Sequence, residues 1–260
     1  MDEYLAGKTD VHPCDQEYEN LSEPLELKIL NEGSKIKIKK PTEFISPHWP
    51  EEGPDLYHEI RKTILDKGLR LPTGYEISLL LKEAYYSARD PKFKGIIKIV
   101  DKRRLWMFTR NLWLPVNKKS GVYVVPDSLA FAQFIITPNE LEKKLDGDEI
   151  KGVRFSKDRT ISFAPYETIK FEEQESYSAF ANNGFVIASF GGREGAENMA
   201  EVSSYFKEKP EVYGIFGKDG KPCKGFSYLA SDGMSFVIDG DSDWTEDLGC
   251  GLETKKETSR

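Results

Sequence analysis

The stretch Lys92–Lys119, KFKGIIKIVDKRRLWMFTRNLWLPVNKK, holds nine cationic side chains against one carboxylate, Asp101, in a chain whose formal net charge is -7. Cations at this density neutralise phosphates, and exposed aromatic faces stack on unpaired bases at about 1–3 kcal/mol per base. Lys102, Arg103, Arg104, Trp106, Arg110 and Trp113 are therefore the candidate contacts to an anionic partner, nucleic acid or an acidic protein. Strand alternation leaves a second reading open. Leu105, Met107 and Thr109 share one face and Trp106, Phe108 and Arg110 the other, so an aromatic set can equally cover a core. No ribonucleoprotein aromatic signature, Gly-x-x-Gly loop or zinc knuckle accompanies the patch.

A second group with chemical potential is Gly191-Gly192-Arg193-Glu194-Gly195, placed between an apolar run and a helical pattern. Free amides at a helix start bind phosphate or carboxylate, and an arginine adds a forked contact, so Gly191, Gly192, Arg193 and Gly195 are the candidate anion-binding residues. The turn lacks the Lys and Ser/Thr ending of a P-loop, and Glu194 opposes an anion. The alternative is a tight strand-to-helix connection that only glycine permits.

Asp239-Gly240-Asp241-Ser242-Asp243 alternates carboxylates like the opening of a calcium loop. Counted from Asp239, Trp244 occupies the turn-glycine position and Cys250 that of the bidentate glutamate, so an acidic turn is expected and no metal. The three histidines, His12, His48 and His58, fall in an arm, a proline-rich connector and a helix, and no Gly-x-Ser-x-Gly elbow supplies a nucleophile. No pair of carboxylates is singled out for glycosidase chemistry, and no cofactor is expected.

The elements that must carry these groups follow from apolar spacing. Asp55 starts a helix with Leu56, Ile60, Ile64 and Leu65 inside and Gly68 as its stop. Thr73 and Glu76 have capping-box spacing and open a helix with Ile77, Leu80, Leu81 and Ala84 buried. Asp90-Pro91 starts a third with Ile96, Ile97 and Val100 inside. Leu105–Leu114 and Gly121–Val125 read as a hairpin, Thr137-Pro138-Asn139-Glu140 as another capping box, and Val153–Phe155 with Ile161–Phe163 as a second hairpin. A helix over 176–182 stops at Gly184. Phe185–Phe190 then reads as a strand, followed by a helix carrying Ala196, Met199, Ala200, Val202 and Phe206 and a strand over Val212–Phe216, which together make a β-α-β unit. Gly225–Ala230 and Met234–Ile238 complete an antiparallel portion. Upstream, Leu25–Ile29 and Ile36–Ile38 make a hairpin whose lysines, Lys35, Lys37, Lys39 and Lys40, face water.

Leu69-Arg70-Leu71-Pro72-Thr73-x-x-Glu76 resembles the Arg-Leu-Pro-Thr-x-x-Glu element of formylglycine-generating-enzyme-like and related C-type-lectin-type domains, where it begins a helix. Ile77 stands where that family commonly has tryptophan, and the later Gly-Gly-Ser-Trp segment has no counterpart. The eight residues carry over neither fold nor activity, and their capping chemistry implies a helix start.

At 260 residues, with 38% hydrophobic and 31% charged side chains, the chain can bury a sizeable core beneath a heavily solvated surface. Cys14, Cys223 and Cys250 show neither zinc-ligand nor disulfide-framework spacing, which favours a reducing compartment. No apolar window approaches the roughly 18 residues of a membrane helix, so a cytoplasmic location is expected. The expected class is α+β, with a flexible acidic arm over 1–24, a helix-rich lobe with β-hairpins over 25–147, a mixed-sheet lobe containing one β-α-β unit over 148–252 and a disordered tail over 253–260. Charge contrast points to a binding or interaction protein engaging an anionic partner. The alternative is an enzyme acting on a phosphorylated or sugar-containing substrate in a cleft between the lobes.

Overall fold

The computed structural model describes residues 25–26, 43–48, 55–102, 104–116, 120–127, 137–216, 220–231, 233–242, 248–249 and 251–254. The acidic arm over 1–24, the lysine-bearing half of the first expected hairpin, Arg103 and residues 255–260 lie outside them.

The α+β class holds: helices pack on a nine-stranded mixed sheet. Strands β1 (Leu25–Glu26) and β2 (Glu43–His48) pair near the start of the chain, and β3 (Asp55–Leu56) leads into α1 (Tyr57–Asp66). Helix α1 buries Tyr57, Ile60 and Ile64, the stripe that its 3.6-residue spacing dictates. In α2 (Gly74–Tyr86) both halves of the expected capping box form: the Thr73 hydroxyl accepts from Glu76 N at 3.2 Å, and the Glu76 carboxylate accepts from Thr73 N at 2.8 Å. Helix α3 (Pro91–Lys102) follows, then β4 (Leu105–Trp113) and β5 (Gly121–Pro126), antiparallel as expected with Asn111 opposite Val124.

The second capping box opens α4 (Pro138–Glu142). Strands β6 (Glu149–Ile150), β7 (Val153–Phe155) and β8 (Ser162–Pro165) form a meander, and β9 (Glu172–Glu173) precedes three helices, α5 (Tyr177–Ala181), α6 (Gly184–Ser189) and α7 (Arg193–Ser203). The chain then runs through β10 (Glu211–Tyr213), β11 (Cys223–Ser231), β12 (Phe236–Ser242), β13 (Leu248–Gly249) and β14 (Gly251–Thr254). The main sheet has the order β6-β7-β8-β5-β4-β11-β12-β10-β9, so strands from both sides of Gly147 share it.

Phe185–Phe190 is not the expected strand. All six residues of α6 are buried, so periodicity is silent, and a short continuous apolar run suits a buried helix as well as a strand. Asn183 decides the matter locally: its Oδ1 accepts from Phe185 N at 3.0 Å while its Nδ2 donates to the Lys170 carbonyl at 2.6 Å, capping and anchoring the helix start. With its first strand a helix, the β-α-β unit expected at 185–216 does not form. Among the described residues the parallel pair is instead β10 with β12, in register Val212 to Ile238.

Alternation on β4 sorts the core as the sequence implies. Leu105, Met107 and Trp113 join Val122 and Val124 beneath α2, α3, α6 and α7. Trp106 and Phe108 face the other way, against Tyr57, Ile60 and Ile64 of α1 and against Phe226 and Tyr228. A third cluster, Tyr123, Val125, Leu141, Ile161 and Phe163, lies where α4 covers the sheet.

Candidate functional site

A cavity of about 350 Å3 opens on the helical face of the sheet. Its wall is made by the start of α2 (Pro72 to Tyr75), the cross-strand pair Thr109 and Pro126 with Val124, the turn Asp158 to Thr160, the end of α6 (Ala188, Ser189) and the start of α7 (Gly191, Glu194, Gly195). That volume falls at the small end of ligand pockets, which span roughly 300–1,000 Å3.

Glycine makes the wall possible. A Cβ on Gly74 would overlap the Ser189 carbonyl, and one on Gly195 would overlap the Phe190 carbonyl, so both helix starts sit against the end of α6 at backbone distance. Between them Gly191 and Gly192 take φ of +70° and +128°, left-handed backbone that lets the chain leave α6 and enter α7 without a longer loop. Opposite, Asp158 shapes its turn: Oδ1 accepts from Ser156 Oγ at 2.7 Å, Thr160 Oγ1 at 2.8 Å and Thr160 N at 3.1 Å. The Ser156 bond leads in holding the Asp158 carboxyl below its ordinary range, so it stays ionised near neutrality.

The polar groups of the wall differ in how they are satisfied. Glu194 accepts from the Tyr75 hydroxyl; burial first, then that carboxylate, pushes the phenol up to about 12, so Tyr75 remains a donor. Arg159 pairs with Asp148 and reaches to 3.5 Å from the Gly191 carbonyl. Thr109 and Ser189 are 5% and 3% exposed, and neither Thr109 Oγ1 nor Ser189 Oγ has a hydrogen-bond partner among the described residues. Buried hydroxyls without partners are rare, and each costs about 1–3 kcal/mol.

No family model matches the chain, and no curated protein matches it. A solved structure described as "Accommodation of massive sequence variation in Nanoarchaeota by the C-type lectin fold" is similar over 78% of this chain and 95% of that one, with 8% identity and a TM-score of 0.44. Those values fall short of placing the chain in that fold.

The residues expected to meet an anionic partner are spread over different environments. Trp106 and Trp113 are both 0% exposed. Trp113 donates from Nε1 to the Gly240 carbonyl at 2.9 Å and packs on Phe185, while Trp106 lies edge-on to Tyr57 and Tyr228, so neither indole offers a face for stacking. Arg104 lies over the Tyr228 ring at 4.8 Å. Arg110 Nε is 2.8 Å from Oδ1 of the buried Asp127, whose Oδ2 is 2.8 Å from Arg61 Nε and accepts from Tyr57 Oη at 2.8 Å. The two guanidinium contacts are ionic, without aligned N–H bonds. Lys102 is exposed at the end of α3, and Arg103 is outside the described residues.

Of the expected anion site, Gly191 and Gly195 line the cavity and Gly192 is the N-cap of α7. Arg193 turns to Glu197 at 2.7 Å, and Glu194 takes the place on the wall. Asp239 lies in β12 and accepts from the Tyr228 hydroxyl at 2.8 Å. Among the described residues no three His, Cys, Asp or Glu side chains gather as a metal site, and no helix is long and apolar enough to cross a membrane. Sequence reading missed Thr109, Ser189 and Tyr75. The signal for Ser189 was a hydroxyl inside the otherwise apolar run Phe185–Phe190, whereas Thr109 sits beside Arg110 and Asn111 and gave none.

Proposed function

We propose that this chain is a binding protein whose ligand is a small molecule held in the cavity between the start of α2, the end of α6 and the start of α7. The observation that carries it is the pair of buried, unpartnered hydroxyls, Thr109 Oγ1 and Ser189 Oγ, on residues that line a cavity of about 350 Å3. Both oxygens are closed to water in the free protein, so a bound polar group reaches them as the side chains rotate towards the cavity, and in doing so recovers the cost of leaving them unpaired. Pro72, Val124, Pro126 and Ala188 supply the apolar wall that such sites combine with a few placed polar atoms.

Binding is favoured over catalysis because no base is hydrogen-bonded to Ser189 Oγ among the described residues, and the described lining residues include no histidine, cysteine or lysine. The basic hairpin has less in its favour as a partner surface, since its two tryptophans are core and Arg110 faces Asp127.

The test is an amide NMR titration with a library of small polar-aromatic compounds, run on the wild type and on Thr160→Trp, which places a bulky ring on the exposed rim of the cavity. Binders that shift the amides of Thr109, Ser189, Gly191 and Gly195, and that lose affinity in Thr160→Trp, support the reading. Binders that shift other regions only, or that ignore the substitution, overturn it.

A further inference from the structure

We infer that the cavity selects a small cationic ligand, an amine with a compact apolar body, rather than the phosphate or carboxylate that its glycine-rich turn suggests. The inference rests on the cavity being a binding site and adds the sign of the charge it accepts.

Arg159 supplies the cation among the described lining residues, and Asp148 already neutralises it. Asp158 and Glu194 are different. The bonds that hold Asp158 come from the hydroxyls of Ser156 and Thr160 and from a backbone amide, and Glu194 is held by the Tyr75 phenol. These donors are neutral, so two full negative charges remain at the wall. The start of α7 opposes them with about half a positive charge, which leaves the site negative. Arg193, the remaining cation of the turn, is engaged by Glu197 outside the lining.

The rest of the wall suits the remainder of such a molecule. Pro72, Val124, Pro126 and Ala188 accept an apolar body, the Tyr75 ring can face a cation, and Thr109 and Ser189, more than nine-tenths buried, line the cavity with hydroxyls that have no partner among the described residues.

Benzylamine, benzyl alcohol and benzoate share one shape and differ in charge, and their affinities can be measured by amide NMR titration on the wild type, Glu194→Gln and Asp158→Asn. The expected order is benzylamine tightest, by about fivefold or more over benzyl alcohol, the size that a partly exposed ion pair supplies, with benzoate weakest. Each substitution should narrow the gap between amine and alcohol and keep the spectrum of a folded protein. If the alcohol or benzoate shifts Thr109 and Ser189 at equal or higher affinity than the amine, charge selection is wrong and the cavity remains a binding site. If none of the three shifts those amides, both the selection and the cavity reading fail.

Discussion

The two faces of β4 near its centre end in opposite environments. On one, Trp106 and Phe108 are sealed by Tyr57, Phe226 and Tyr228, and Arg110 meets Asp127, a carboxylate with 0% side-chain exposure that also faces Arg61. On the other, Thr109 lines the cavity, and its buried hydroxyl has no hydrogen-bond partner among the described residues. The sealed face matches charge with charge and aromatic ring with aromatic ring. Buried polar atoms without hydrogen-bond partners occur on both faces, Trp106 Nε1 on the sealed one and Thr109 Oγ1 on the open one, so what separates the faces is the cavity. Dense charge and aromatic content thus mark closure in this molecule, whereas glycines that bring helix ends together mark the place left open.

The largest effect that can break this contrast is expected at Asp127. Asp127→Ala strands the Arg61 and Arg110 guanidinium groups near a buried aromatic cluster and should cost about 3–5 kcal/mol in urea unfolding. A loss below about 1 kcal/mol would mean that the cluster is not closed as described. Next in size is Gly74→Ala, whose methyl group meets the Ser189 carbonyl. The start of α2 must move, and about 1–3 kcal/mol of stability should be lost, with ligand affinity falling in the same variant.

Thr109→Val and Ser189→Ala sharpen the comparison, because removing an unpaired buried hydroxyl should leave the free protein unchanged or stabilise it by about 1 kcal/mol. The same substitutions should weaken ligand binding, the opposite direction from a structural hydroxyl. Denaturant unfolding and a ligand titration on each variant check both halves.

The smallest effect concerns pH at the start of α2. Burial opposes the charged form of Glu76, but its bonds from Arg70 and Thr73 outweigh that and hold its carboxyl below the ordinary range. A depressed folded-state value means that the contribution is complete above the unfolded carboxyl range and is lost as pH falls through the folded value. Glu76→Gln should therefore lower stability at neutral pH by about 1 kcal/mol or less and flatten the acid limb of the stability profile, as read by thermal unfolding between pH 7 and pH 3.

Local chemistry was legible wherever it acted within a few residues. Thr73 with Glu76 and Thr137 with Glu140 form the capping boxes that their spacing announces, and the alternation of Leu105, Met107 and Trp106, Phe108 divides the core correctly. What lay beyond each face was not legible. Whether Trp106 meets solvent or Tyr57 depends on α1, almost fifty residues away in the chain. The α6 run misleads because a segment buried on all sides carries no period, and its deciding residue, Asn183, acts through the distant Lys170 carbonyl as well as through its own helix. The cavity is less legible still, since Gly74, Thr109, Arg159 and Ser189 meet only in the folded chain.

The most direct test of the central claim is a crystallographic fragment screen on the wild-type protein. The account predicts fragments in the space between Tyr75, Thr109, Ser189 and Glu194, with a polar atom within hydrogen-bond distance of Thr109 Oγ1 or Ser189 Oγ. Fragments that collect on the hairpin cations Lys102 and Arg104 while this cavity stays empty across the library would contradict it.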